Sequence, residues 1–318
     1  MPESRLAAFL RVWMLPAALV LGVSLRVLYG FLPSLHPAGP VLHVVVSEGQ
    51  RVGIAILLFC QFVKISPHDL HLRRWHLYLL LFQVACFLVC AFTARQLAPD
   101  TAPRILTECA MLCLICPTAS AAGVITEKLG GNLAETVTYL VLINLVGTLL
   151  IPSIIPMVRP ASDMGFWAYV LRIAMKIFPV LLLPAVLAWT IRYTLPRLQR
   201  RLMRWANYSF YVWGCSLTLA MILATHALLE YPLGALAVAG IVGVSLLSCL
   251  VQFAFGRAMG RSSIDAKTAG QTLGQKNTGF LIWLGYTYLT PVTSVAGGLY
   301  AVWQNLFNAW ELYRSGKK

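Results

Sequence analysis

Residues 116–132, CPTASAAGVITEKLGGN, stand where a membrane span belongs, yet their chemistry is wrong for an unbroken one. The run before them, Glu108 to Cys116 (ECAMLCLIC), is largely apolar and reads as helix. Pro117 then removes a backbone donor and clashes with the preceding turn. Thr118, Ala119 and Ser120 are small, and two of them are polar. Helix resumes through Val124 and Ile125 and stops at Gly130-Gly131, with Asn132 placed to cap the next helix three residues before Glu135. A break at mid-span frees carbonyls and N–H groups that hydrocarbon cannot satisfy, so it must line a cavity or lie buried in protein. Breaks of this kind point to a transporter's binding site.

The rest of the chain supports a membrane setting. Of 318 residues, 59% are hydrophobic and 11% charged, and mean hydropathy is +0.75. Soluble domains average about 25% charged residues. The fold class is therefore an all-α polytopic membrane protein. With about 20 apolar residues per span, ten helices are expected at roughly 11–31, 41–64, 75–97, 104–126, 132–157, 166–193, 203–228, 232–256, 268–289 and 291–313. Connections are short, so residues 1–318 form a single membrane domain, and no signal peptide is expected before the first span.

A net charge of +14 would suggest nucleic acid in a soluble protein, but here the positive-inside rule explains it. With the N-terminus inside, Arg5, Arg11, Lys64, Arg73, Arg74, Lys128, Arg192, Arg197, Arg200, Arg201, Arg204, Arg257, Arg261, Lys267, Arg314, Lys317 and Lys318 fall on the inner face, 17 of 25 basic residues. Only Arg26, Arg95, Arg104 and Arg159 fall outside. Both termini are thus expected in the cytoplasm, and the compact chain suits a bacterial inner membrane.

Four basic residues remain inside spans: Arg51, Arg172, Lys176 and Lys276. Glu48 can neutralise Arg51 one turn away. Arg172 and Lys176 share a face with no acid in their own span, which suggests an anionic ligand, with snorkelling of Arg172 as the structural alternative. A second interruption lies at residues 269–280, AGQTLGQKNTGF, rich in glycine and amides. It falls in the fourth helix of the second five, as the first falls in the fourth of the first five. Matching interruptions in two halves are the mark of inverted five-helix repeats whose broken helices 4 and 9 cross at mid-membrane. The positive N-terminal ends of the second half-helices would then favour an anion. The eight cysteines lie mostly within apolar runs and read as small packed side chains, the Cys113–Cys116 CxxC included. No HExxH, serine elbow, P-loop or cofactor motif appears, which argues against a membrane enzyme or an ATP-driven pump.

Four stretches resemble the bile acid:sodium symporter family. They are Cys116-Pro117 with Asn132; Gly147 to Pro152 with Pro156; Leu273 to Gly279 (LGQKNTG); and Gly298 to Asn305 (GLYAVWQN). The resemblance implies a secondary transporter that works by alternating access. Its core would be helices 3–5 and 8–10 (about 75–157 and 232–313), and its moving panel helices 1, 2, 6 and 7 (about 11–64 and 166–228). It implies substrate contacts at Ser120, Asn277 and Gln304, with Asn305 beside them. Thr118, Thr278, Lys276 and Lys176 join these as candidates from the chain's own polarity. Capping of freed backbone is the structural alternative for each.

Departures from the family bear on coupling. At its cation-site positions this chain carries Ala122, Gly123, Thr136, Thr272 and Lys276, with Gln83 retained; another hydroxyl position is Leu140. The sodium ligands are largely absent, and an ammonium at Lys276 would stand in for a bound cation. Two-sodium coupling is therefore not expected. Proton coupling through Lys276, exchange or facilitated diffusion, and sodium held by backbone carbonyls remain open, with a small organic anion as substrate. The alternative is a proton-coupled or exchange carrier on a related ten-helix scaffold, auxin-efflux-like. A cation/proton antiporter needs an acidic pair at the crossing, and this crossing has none.

Overall fold

In the computed structural model, the described residues are 5–231 and 233–315, with side chains from residue 13 onward. They form α1 (Arg5–Gly30), α2 (Gly39–Lys64), α3 (Arg74–Gln96), α4 (Ala102–Ile115), α5 (Ala122–Lys128), α6 (Leu133–Val158) and α7 (Phe166–Leu181). Then come α8 (Leu183–Thr194), α9 (Pro196–Trp205), α10 (Ser209–Glu230), α11 (Ala235–Met259), α12 (Ser263–Gly274), α13 (Thr278–Tyr288) and α14 (Ser294–Ser315). The described residues hold no strand, apart from one isolated bridge described below.

Among the described residues six helices are long and apolar enough to cross a membrane, those ending at Gly30, Lys64, Gln96, Val158, Glu230 and Met259. The pair α7–α8, bent by 43°, makes a seventh. The remainder are too short singly, being halves of interrupted segments, or too polar: α14 carries Gln304, Asn305, Asn308, Glu311 and Arg314.

The first helix begins at Arg5, ahead of the expected 11, and three further boundaries differ from expectation for a visible reason. The helix expected at 166–193 bends at Leu182, because Pro184 has no N–H to continue the ladder and starts α8 instead. The helix expected from residue 203 begins at Ser209, since PRLQRRLMRW folds separately as α9, a short Arg-rich amphipathic helix suited to an interface. The ninth begins at Ser263, earlier than 268, because the Ser262 hydroxyl caps it by accepting from the Asp265 N–H at 3.0 Å.

Glycines set the close contacts. Gly270 lies inside α12 and Gly274 ends it, and at each any Cβ would run into Arg257 or Phe253 of α11. Gly22 likewise lets α1 meet Met221 of α10. Small residues that bring backbones together are what packs helices in lipid. α1 and α2 pack on α10, and α8 on α2; α3 packs on α4, and α11 on α4, α12 and α14.

Charges gather at two ends. At one end Arg73 pairs with Glu135 at 2.7 Å, Arg257 with Glu311, and Lys267 donates to the Leu129 carbonyl at 2.9 Å. At the other, Glu108, fully buried, holds Arg104 at 3.2 Å and Arg159 at 2.9 Å and accepts from the Thr290 hydroxyl at 2.7 Å. Arg104 and Arg159, expected as charges on the outer face, are therefore members of a partly buried network. Lys317, Lys318, Pro232 at the expected start of the eighth helix, and the side chains of Arg5 and Arg11 lie outside the described residues.

Candidate functional site

The two interruptions meet, and each satisfies the other's backbone. Cys116 to Ala121 separates α4 from α5, and Gln275 to Asn277 separates α12 from α13. Thr118 and Lys276 form an antiparallel bridge: the Ala119 N–H donates to the Gln275 carbonyl at 3.0 Å and the Asn277 N–H to the Pro117 carbonyl at 2.8 Å. Side chains take up the other groups that the breaks free. Gln83 donates to the Leu114 carbonyl at 2.6 Å, Gln252 to that of Cys113 at 3.1 Å, and the Tyr300 hydroxyl to that of Gly274 at 2.8 Å. Thr118 donates to the Thr272 carbonyl at 2.8 Å. Gln304 grips Lys276 at both ends of its peptide unit: it accepts from the N–H at 2.8 Å and donates to the carbonyl at 3.3 Å. Such accounting is obligatory for buried backbone. Gln252 and Tyr300 escaped sequence reasoning; a polar residue every turn or so on an apolar helix was the available signal.

Two caps extend the pattern. The Asn277 side chain accepts from the Phe280 N–H at 3.2 Å and starts α13, and Asn132 does the same for Glu135 at 3.2 Å. Gly130, at φ +76°, turns the chain between α5 and α6.

Beside the crossing lies a cavity of about 60 Å³, walled by Ala119, Ser120, Gln275 to Gly279, Gln304 and Asn305 on one side. On the other side stand Leu57 of α2 and Trp213, Ser216 and Leu217 of α10. Of the expected contacts, Ser120, Lys276, Asn277, Thr278, Gln304 and Asn305 thus share one cavity. Thr118 does not line it; it is fully buried, with its hydroxyl spent on Thr272. Asn305 also donates to the Ala301 carbonyl of its own helix at 2.7 Å.

Lys276 is fully buried, and its amine has no hydrogen-bond partner among the described residues. The titratable groups that act on it are the thiols of Cys116, Cys113 and Cys249. None of the expected coupling positions offers it an oxygen within hydrogen-bond distance. Their polar side chains are engaged elsewhere: Thr272 donates to Thr136 at 3.1 Å, and Thr136 faces Thr126 at 3.3 Å and the Asn132 carbonyl at 3.2 Å. Gln83 accepts from Tyr139 at 2.6 Å, and Ala122 and Gly123 carry no side-chain oxygen. The expectation of an acid-free basic face at Arg172 and Lys176 is corrected. α2 supplies the acid, with the Lys176 amine 3.8 Å from Glu48, while Asp163 stands 3.9 Å from Arg172. Glu48 also pairs with Arg51. Lys176 lies about half exposed and lines no part of the cavity.

The family model described as the SBF-like CPA transporter family matches residues 17–295. No curated protein matches the chain.

Proposed function

The chain belongs to the SBF-like CPA transporter family, and on that premise we propose that it carries a small organic anion across the membrane by alternating access at the crossing of its two interrupted segments. Membership makes it a membrane transporter and not an enzyme. The substrate, the coupling and the ten-span inverted repeat are our reading. In it, α4–α5 and α12–α13 are spans four and nine, and α7–α8 is span six. Spans 3–5 and 8–10 form the core, and spans 1, 2, 6 and 7 the panel.

One observation carries the anion: a fully buried lysine, with no carboxylate paired to it, on the wall of a polar cavity between core and panel. An ammonium held in a dry interior is costly unless a counter-charge arrives. A carboxylate substrate entering between α10 and the crossing would supply it, with Ser120, Asn277, Thr278 and Gln304 as hydrogen-bonding groups. At about 60 Å³ the cavity holds a few waters and no organic anion. Loading therefore requires Trp213, Ser216 and Leu217 to move away, which supports a panel that swings against the core.

The hydroxyls of Thr136 and Thr272 are occupied with one another, and Ala122, Gly123 and Lys276 offer no side-chain oxygen, which supports transport without two bound sodium ions. Lys276 is then the candidate carrier of a coupling proton, unless the transporter exchanges one anion for another. Proteoliposomes incubated with radiolabelled mono- and dicarboxylates, in sodium or choline buffer, test both parts. Uptake of at least one carboxylate, equal in the two buffers and abolished in Lys276→Met, is expected. Steep sodium activation would overturn the coupling argument, and full activity of Lys276→Met would overturn the site.

A further inference from the structure

At the basic end of the molecule, away from the crossing, a second cavity of about 330 Å³ opens among α12, α14 and the C-terminal end of α5. Its wall carries three cations, Arg257, Lys267 and Arg314, against one carboxylate, Glu311. Glu311 is 4% exposed and is engaged twice, pairing with Arg257 and accepting from the Gln271 amide at 2.5 Å. Lys267 spends one of its three donors on the Leu129 carbonyl. Arg314 lies over the Trp310 ring, 5.5 Å from its centroid, with no acid in ion-pair range among the described residues. Asp265, the acid in the first turn of α12, lines a different cavity with Arg73 and Arg261. Two positive charges in this pocket are therefore uncompensated, and Ser263 adds a hydroxyl at the positive end of a twelve-residue helix.

We propose that this cavity is a headgroup site for an anionic phospholipid, whose phosphodiester lies between Lys267 and Arg314. The outer face of α14 argues for a lipid over a soluble anion. Leu306, Trp310 and Tyr313, spaced one turn apart, are 59%, 48% and 65% exposed and form an apolar track leading from the pocket along the helix. An acyl chain attached to a headgroup in the pocket lies along that track, with the tryptophan at the level of the interface. The inference takes the basic end as the cytoplasmic one, where anionic lipids concentrate.

Native mass spectrometry of the detergent-purified chain tests it without any transport assay, so its failure leaves the crossing untouched. The titrants are dioleoyl phosphatidylglycerol, dioleoyl phosphatidylcholine and inorganic phosphate. Phosphatidylglycerol is expected to be retained and the other two not. The double variant Lys267→Gln/Arg314→Gln should weaken retention on the order of thirtyfold, and Arg201→Gln on α9 should not change it. Equal retention of the two lipids, unchanged retention in the double variant, or displacement of the lipid by millimolar phosphate would each overturn the proposal. If the double variant does not fold, Arg314→Gln alone, on an exposed side chain, should weaken retention about fivefold.

Discussion

Gln83 separates two accounts of the crossing. It is fully buried and makes three contacts at once, donating to the Leu114 carbonyl at 2.6 Å and to that of Cys116 at 3.4 Å while accepting from the Tyr139 hydroxyl at 2.6 Å. Gln83→Leu keeps the volume and removes all three. The Leu114 carbonyl and the Tyr139 hydroxyl are left buried and unpaired, and each such group costs about 1–3 kcal/mol. The Cys116 contact is long and adds little, so the total is about 2–6 kcal/mol. Tyr139→Phe alone strands the Gln83 oxygen, at about 1–3 kcal/mol. The two substitutions should not add, because in the double variant no tyrosine hydroxyl is left to strand. Nor is a Gln83 oxygen left, so only the Leu114 carbonyl stays unpaired, and the double variant should be more stable than the sum of the singles by about 2–6 kcal/mol. Reversible unfolding in mixed micelles, followed by tryptophan fluorescence, measures all four corners of the cycle. The reasoning fails if Gln83→Leu is neutral or if the singles add. It fails differently if sodium stabilises the wild type and Gln83→Leu abolishes that gain, for then Gln83 is a cation ligand and not a backbone brace.

Other outcomes follow from the same contacts. Glu108→Gln leaves Arg104 and Arg159 without their shared carboxylate and should cost about 3–5 kcal/mol in the same unfolding assay; a loss under about 1 kcal/mol would show that water serves them instead. Gly274→Leu drives a side chain into the Phe253 ring and should abolish folded yield on gel filtration, whereas Gly165→Ala, with nothing within 4 Å, should be silent. Lys176→Ala should leave carboxylate affinity within about twofold, because its partner is an exposed Glu48 outside the cavity; a tenfold loss in the uptake assay would return it to the site. Lys276→Met should unfold no more easily than wild type, since it removes a buried amine that nothing pairs.

The interruptions were legible because proline, glycine and amides are conspicuous against apolar helix: Pro117, Asn132 and the QKN at residues 275–277 each mark a boundary found in the fold. What served those breaks was not legible. Which carbonyl Gln252 or Tyr300 satisfies depends on α11 and α14 lying against α4 and α12, and no local pattern encodes that juxtaposition. Arg104 lies one turn from Glu108 on the same helix, but the second charge partner of Glu108 was hidden for the same reason, since Arg159 lies fifty-one residues away in sequence. Lys176 misled because an acid was sought only on its own helix, while Glu48 faces it from α2.

Pairing explains why Lys276 stands apart. Around it nearly every polar group freed by the two breaks is answered, by the opposite break, by Gln83, Gln252, Thr118 and Tyr300, or by Gln304. A packed interior that meets its backbone needs this fully gains nothing in stability from a lone buried ammonium, and replacing such a group with an apolar one of like volume is neutral or favourable. A residue that costs stability and answers no structural need is best explained by a charge that comes and goes. The crossing supplies the setting for that: it is braced on every side, and in the proposed cycle it would keep its form while α10 and α2, which close the cavity with Trp213, Ser216, Leu217 and Leu57, move across it.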